Sequence, residues 1–230
     1  MKIGGLQKTS LLDYPEEVSS IIWTVGCNFN CPFCYNKGLV EGNVSDISED
    51  EILSYLKKRK KLIDALVISG GEPFLQKDIK DFCKKVKKIG YKIKIDTNGT
   101  YPDKLKELID EKLVDYIAMD IKAPFKKYEL LAGKKIDIRK IKKSIKFIQE
   151  SGVDYEFKTT FVPDLLTKED IIEIGKALKG SKKYYLQQFK SDVPLISESI
   201  TDKTPYHIDY LEETLNEIKP YFTYCKIRGD

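Results

Sequence analysis

Three cysteines stand within eight residues, Cys27-Asn28-Phe29-Asn30-Cys31-Pro32-Phe33-Cys34, spaced C-x3-C-x2-C, directly after the apolar, β-prone run Ser20 to Gly26. Thiolates are soft ligands for zinc and iron–sulfur clusters, and a group this tight rarely serves packing alone. A structural zinc ion takes four protein ligands in a closed tetrahedron. A fourth would have to come from Cys83, Cys225 or His207. Cys83 lies on the apolar stripe of a helix and reads as core, Cys225 in a terminal strand reads the same way, and His207, the only histidine, reads as a surface or capping residue. A 4Fe–4S cluster also usually takes four thiolates. With three, one iron keeps an open position, which implies an exogenous ligand and therefore chemistry.

Charge and composition narrow the remaining choices. The 230 residues carry 40 Lys and Arg against 36 Asp and Glu, a net charge of +4, with 41% hydrophobic residues. That balance argues against a nucleic-acid partner, and runs such as Lys57 to Lys61 read as solvated helix faces. No apolar run approaches the ~18 residues of a membrane span, and Met1 to Gly5 opens no signal peptide. The expectation is a cytoplasmic protein with reduced thiols and no membrane partner, where clustered cysteines bind metal more often than they form disulfides.

The elements that must position the cysteines alternate regularly. Strands are expected at Ser20–Val25, Ala65–Ser69, Lys92–Asp96, Tyr116–Asp120, Tyr155–Phe161 and Tyr184–Gln188. Between them, helices are expected from Ser48, whose S-x-x-E pattern is a capping box, and at about Lys77–Lys88, Asp103–Glu111 and Ile138–Glu150. Another follows Thr167. A last helix carries Ile208, Leu211, Leu215 and Ile218, and Phe222–Ile227 is a candidate edge strand. Six strands alternating with helices predict an α/β fold, a partial (β/α)6 TIM-like barrel with mainly parallel strands. The expected division is one domain over 1–230: an N-terminal cap or hairpin at 1–19, a barrel core at 20–190, and a C-terminal helix and edge strand at 191–230.

Sites of such sheets lie at the carboxyl ends of the strands, and the unusual polar residues fall there. Gly70-Gly71-Glu72-Pro73 follows the second strand, where glycines admit a ligand to the backbone and Glu72 could bind an ammonium. Asp96-Thr97-Asn98-Gly99, Asp120-Ile121-Lys122, Lys158-Thr159-Thr160 and Gln187-Gln188 end the next four. Each alone also reads as a turn or a structural ion pair. Lys158 is the most suggestive, because a charge facing inward needs a partner or a ligand.

C-x3-C-x2-C with an aromatic residue, Phe33, before the last cysteine resembles the signature of the radical S-adenosylmethionine superfamily. Ser69-Gly70-Gly71-Glu72-Pro73 resembles its glycine-rich methionine-binding motif. Leu12-Asp13-Tyr14-Pro15, Gly26-Cys27-Asn28, Asp96-Thr97-Asn98-Gly99, Asp120-Ile121-Lys122 and Lys158 to Pro163 look like the glycyl-radical-enzyme activating proteins, the anaerobic ribonucleotide reductase branch above all.

The resemblance implies that Cys27, Cys31 and Cys34 hold three irons of one 4Fe–4S cluster and that S-adenosylmethionine chelates the fourth. Phe33, Cys34 and Tyr35 would contact the adenine, and Gly70, Gly71 and Glu72 the methionine amino group. Asn98, the D-x-K stretch Asp120-Ile121-Lys122, Lys158 and Gln188 would complete the cofactor site. Reductive cleavage would give a 5′-deoxyadenosyl radical, which takes a hydrogen from a glycine of a partner glycyl-radical enzyme. Reduced flavodoxin or ferredoxin would supply the electron.

Two departures from the family pattern are Tyr35, where many activating proteins have histidine, and a missing late histidine, whose place falls near Gln188 or Lys190. Two other readings are open. One is a radical enzyme acting on a small molecule such as a deazapurine precursor. The other is a non-catalytic metal-binding or electron-transfer module, which predicts four protein ligands.

Overall fold

The computed structural model of the chain describes residues 1–229, so Asp230 of the expected C-terminal segment lies outside the described residues. Eight strands form one sheet in the order of the sequence, β1 to β8: β1 (Ile3–Ser10), β2 (Ser19–Thr24), β3 (Ala65–Gly70), β4 (Lys92–Thr97), β5 (Tyr116–Asp120), β6 (Asp154–Phe161), β7 (Ser181–Gln188) and β8 (Phe222–Arg228). β1 runs antiparallel to β2, and every later neighbour pair is parallel. The six strands expected from the sequence are β2 to β7. The hairpin strand β1 and the edge strand β8 extend them into an open sheet, with no pairing between β1 and β8.

The helices are α1 (Lys37–Glu41), α2 (Glu49–Arg59), α3 (Ile79–Ile89), α4 (Pro102–Asp110), α5 (Tyr128–Ala132), α6 (Ile138–Glu150), α7 (Lys168–Ala177) and α8 (Ile208–Ile218). Their starts follow from local chemistry. Ser48 accepts from the Glu51 N–H ahead of α2, Asp137 caps α6, and Thr167 and Asp170 form a reciprocal capping box on α7, each satisfying N–H groups the first turn leaves free. Two short helices, α1 and α5, escaped the sequence reading. At five residues each, they carry too few periods to register in an apolar pattern.

Alternation along the strands sorts side chains between two cores. One face packs on the helices, with Ile79, Phe82, Cys83 and Val86 of α3 all buried against it. The other face lines the inside of the curved sheet. Its floor is a small apolar plug of Tyr14, Ile21, Ala65, Val67 and Tyr116, with Trp23 against it. The stretch Leu12 to Pro15 thus sits at the amino ends of the strands, away from the cysteines. Tyr14 packs on Tyr116 with ring centroids 5.7 Å apart, and the Asp13 carbonyl accepts from the Lys94 ammonium at 2.5 Å. Cys83 is core, as expected, and His207 caps α8 by accepting from the Asp209 N–H. Cys225 is only partly buried.

Candidate active site: a cysteine-lined cavity at the strand ends

The carboxyl ends of β3 to β8 and the loop after β2 enclose a cavity of about 530 Å³, within the range of small-molecule sites. Cys27, Cys31 and Cys34 all line it, and none is in a disulfide. Burial pushes the thiols of Cys27 and Cys31 up, to about 11 and about 12. Without a metal they are therefore protonated, and a metal must displace those protons to bind. No three His, Cys, Asp or Glu side chains among the described residues are arranged to hold a single metal ion. A cubane, in which each thiolate binds a different iron, does not ask for that arrangement. Three thiols from one loop on one cavity wall, with cations close by, fit an iron–sulfur cluster.

The cysteine loop is held on several sides. The Glu72 N–H donates to the Gly26 carbonyl at 2.9 Å and the Gly71 N–H to Thr24 at 2.9 Å. A Cβ on Gly71 would run into the Gly26 carbonyl, so this close approach requires glycine. The Asn30 N–H donates to Ala132 at 2.8 Å, and Gly133, in the left-handed region at φ +65°, closes α5 against the Asn30 backbone. The N–H groups of Ile196 and Ser197 donate to the carbonyls of Cys34 and Pro32, both at 3.0 Å. Asn28 donates to Thr100 and accepts from Asn98, each at 2.8 Å.

Behind this loop a chain of alternating charges crosses β4, β5 and β6. Lys94 lies 3.3 Å from Asp96, Lys158 lies 3.6 Å from both Asp96 and Asp120, and Lys122 lies 3.1 Å from Asp120. Burial works against the Asp96 charge, but Lys158 and Lys94 outweigh it and hold the carboxyl down at about 2. Asp120 is held low in the same way by Lys122 and Lys158. Burial also opposes the charge on Lys122, but Asp120 keeps it an ammonium. Three cations against two carboxylates leave one positive charge over. Lys122 ends the chain on the cysteine side, 5.7 Å from the centre of the Phe33 ring.

The expected cofactor contacts divide under this geometry. Phe33, Cys34, Tyr35, Gly70, Gly71, Asp120, Lys122 and Lys158 line the cavity. Asn98 and Gln188 also line it, but their amides are engaged. Asn98 is bonded to Asn28 and Thr100, and Gln188 donates to the Tyr206 carbonyl at 2.8 Å and accepts from the Phe189 N–H at 3.1 Å. Both position backbone.

Two expectations are corrected. Glu72 is fully buried and faces away from the cavity. Its carboxylate accepts from the Phe74 N–H at 3.1 Å, the Thr97 hydroxyl at 2.8 Å and the Asn98 N–H at 2.7 Å. It fastens the end of β4 to the glycine turn, and its side chain does not line the cavity where an ammonium would sit. Ile121 points to the opposite side of the sheet, where it meets α6 and α7 across a small gap.

Asp96, Thr160 and Gln187, which the sequence reading placed at strand ends without giving them a cofactor contact, line the cavity, and so does Arg228, which it did not single out. Period two along β7 would have put Gln187, rather than Gln188, on the inner face with Tyr185. Nothing local marks Arg228. It enters because β8 pairs with β7 and its guanidinium reaches Glu156 on β6 at 2.7 and 3.0 Å, over the face of Tyr185.

An open, mainly parallel sheet with three loop cysteines over its carboxyl ends defines a cluster-binding radical enzyme. The chain belongs to the radical SAM superfamily, whose family model matches residues 21–179. It is 38% identical over 193 residues, 82% of this chain and 80% of the other, to a Methanocaldococcus jannaschii protein provisionally named a glycyl-radical enzyme activating enzyme.

Among solved structures, it is similar to Streptococcus suis SuiB bound to S-adenosylmethionine, with a TM-score of 0.69 and 17% identity over 91% of this chain. It spans half the length of SuiB. It is also similar to a domain of pyruvate-formate lyase-activating enzyme from Bacteroides vulgatus, with a TM-score of 0.54 and 16% identity over 72% of this chain and 99% of that one. Family membership makes the chain a radical SAM enzyme that takes an iron–sulfur cluster and S-adenosylmethionine. No helix among the described residues is long and apolar enough to cross a membrane.

Proposed function

We propose that the protein activates a glycyl-radical enzyme, an anaerobic ribonucleotide reductase in the first instance, drawing its electron from reduced flavodoxin or ferredoxin. The observation that carries this reading is the convergence of Cys27, Cys31 and Cys34 with the Asp120–Lys122 pair on one open cavity, in a chain 38% identical to a relative named for that activity. Cys27, Cys31 and Cys34 would hold a single 4Fe–4S cluster. When bound, such a cluster would supply the electron for reductive cleavage of S-adenosylmethionine, the chemistry that would remove a hydrogen atom from the target glycine. The chain's own residues bind, orient and exclude water. The backbone at Gly70 and Gly71 would admit the methionine end, Asp120 and Lys122 would contact the cofactor, and Lys122 sets a positive charge beside the cysteines. Phe33 and Tyr35 supply an apolar wall. Fixed placement of donor and acceptor is the protein's main contribution.

The test is anaerobic reconstitution, reduction with dithionite and addition of S-adenosylmethionine. The expected products are methionine and 5′-deoxyadenosine, and adding the ribonucleotide reductase should give a glycyl radical doublet by electron paramagnetic resonance. Cys31→Ala should lose bound iron and both signals. Retention of iron by that variant would overturn the ligand assignment. Cleavage of S-adenosylmethionine without any glycyl radical would overturn the choice of partner.

A further inference from the structure

The far half of the cavity, along β6, β7 and β8, differs in kind from the cysteine half. Thr160 pairs in register with Gln187, and Gln187 with Arg228. The three therefore stand side by side at one level, spaced by the roughly 4.8 Å between strands, and all three line the cavity. Their neighbours are engaged: the Thr159 hydroxyl donates to the Ile121 carbonyl at 2.8 Å, and the Gln188 amide is taken by Tyr206 and Phe189. Thr160 and Gln187 are not. Among the described residues their hydroxyl and carboxamide have no protein partner and face the cavity.

The charges there narrow what such a row can hold. Arg228 is neutralised by the two hydrogen bonds it donates to the Glu156 carboxylate. The one lining cation without an ion pair among the described residues is Lys190, on the exposed segment after β7. A phosphate or carboxylate substrate would find no paired cations on this row to clamp it. What the row offers is a neutral hydroxyl and a carboxamide that donates and accepts side by side, which is the complement of a peptide group. A target glycine has no side chain. An enzyme that must place its Cα has only the flanking N–H and C=O groups to hold.

We propose that Thr160 and Gln187 are substrate-binding residues that hold the peptide groups flanking the target glycine, with the Arg228–Glu156 pair as the fixed wall behind them. This rests on the activating-enzyme reading above and names how that substrate is gripped.

The experiment uses the anaerobically reconstituted protein, S-adenosylmethionine, and a blocked peptide copied from the glycine loop of an anaerobic ribonucleotide reductase, deuterated at the glycine Cα. Peptide affinity is read by calorimetry, and deuterium transfer into 5′-deoxyadenosine by mass spectrometry. Gln187→Leu should weaken peptide binding about tenfold and Thr160→Val somewhat less, as expected for one lost hydrogen bond with its partner left unpaired. S-adenosylmethionine affinity should stay within twofold, and Gln187→Asn should recover part of the loss.

Peptide affinity equal to the wild type in both variants would overturn the proposal while leaving the activating function in place. A parallel loss of S-adenosylmethionine affinity would also overturn it, assigning the two residues to the cofactor. If the wild-type protein cleaves S-adenosylmethionine but binds no such peptide and transfers no deuterium, the choice of the ribonucleotide reductase as partner fails, and the proposal as drawn on its glycine loop fails with it.

Discussion

The two halves of the cavity rim are built on the same sheet and braced very differently. Over β2 to β5, the cysteine loop is tied by backbone bonds to the glycine turn, to the end of α5 and to residues 196–197. Its side chains lock into the Asn28–Asn98–Thr100 group, and Glu72 uses three hydrogen bonds to join the ends of β3 and β4. Over β6 to β8, the inner-facing Thr160 and Gln187 have no partner among the described residues, and the edge strand is held by pairing with β7 and by the Arg228–Glu156 ion pair. A half that fixes a cofactor profits from having no freedom, because misplacement by about 1 Å can cost 100-fold in rate. A half that receives another protein's loop needs unspent donors and acceptors.

The comparison can be broken first at Gly71. Gly71→Ala forces a methyl group into the Gly26 carbonyl, and relief requires β2 and β3 to separate where the cysteine loop begins. The expected destabilisation lies at or beyond the top of the roughly 1–3 kcal/mol typical of overpacking. Bound iron after reconstitution should fall with it. A variant that melts and binds iron like the wild type would show that the turn is not a brace.

A smaller effect is expected on the other half. Arg228→Met leaves Glu156, with no exposed surface, with the Tyr116 hydroxyl at 3.0 Å as its remaining hydrogen-bond partner among the described residues and only the more distant charges of Lys94 and Lys158 to offset it. Removing one partner of a buried pair costs about 3–5 kcal/mol, and the partial exposure of Arg228 puts this case near 3. Because the charge left behind is the cause, the double variant Arg228→Met with Glu156→Gln should regain most of the loss in denaturant melts. Iron content should be unchanged in both, and amide exchange should rise along β8. Loss of iron on this side would erase the distinction between the halves.

The cysteine half was legible in the sequence for a physical reason: a cluster ligand loop is local, and C-x3-C-x2-C states its geometry within eight residues. The alternation of strands and helices was equally local, and it placed β2 to β7 within a few residues of their observed ends. The far half depends on register between strands 27 to 41 residues apart, Thr160 with Gln187 with Arg228, which no short window contains. Glu72 misled for a related reason. Its position in the glycine turn suggested an ammonium ligand, whereas its role is set by Thr97 and Asn98 on another strand. The Leu12–Pro15 stretch was recognisable by type, but only the fold shows that it closes the floor.

Glu72 also gives the finest test of bracing. Burial raises its carboxyl to about 7 despite the hydrogen bonds from Asn98, Thr97 and Phe74, against about 4.5 when unfolded. Between those values the folded protein holds a proton that the unfolded chain releases. Its contribution to stability is therefore complete below about pH 4.5 and is lost as pH rises through about 7. From pH 6 to pH 8 the loss amounts to about 1.4 kcal/mol. Glu72→Gln cannot titrate, so denaturant midpoints measured at pH 6 and pH 8 should differ less in the variant than in the wild type by that amount. Equal pH dependence in the two proteins would mean that the three hydrogen bonds keep Glu72 ionised throughout. The brace would then hold at full strength at every pH where the enzyme works.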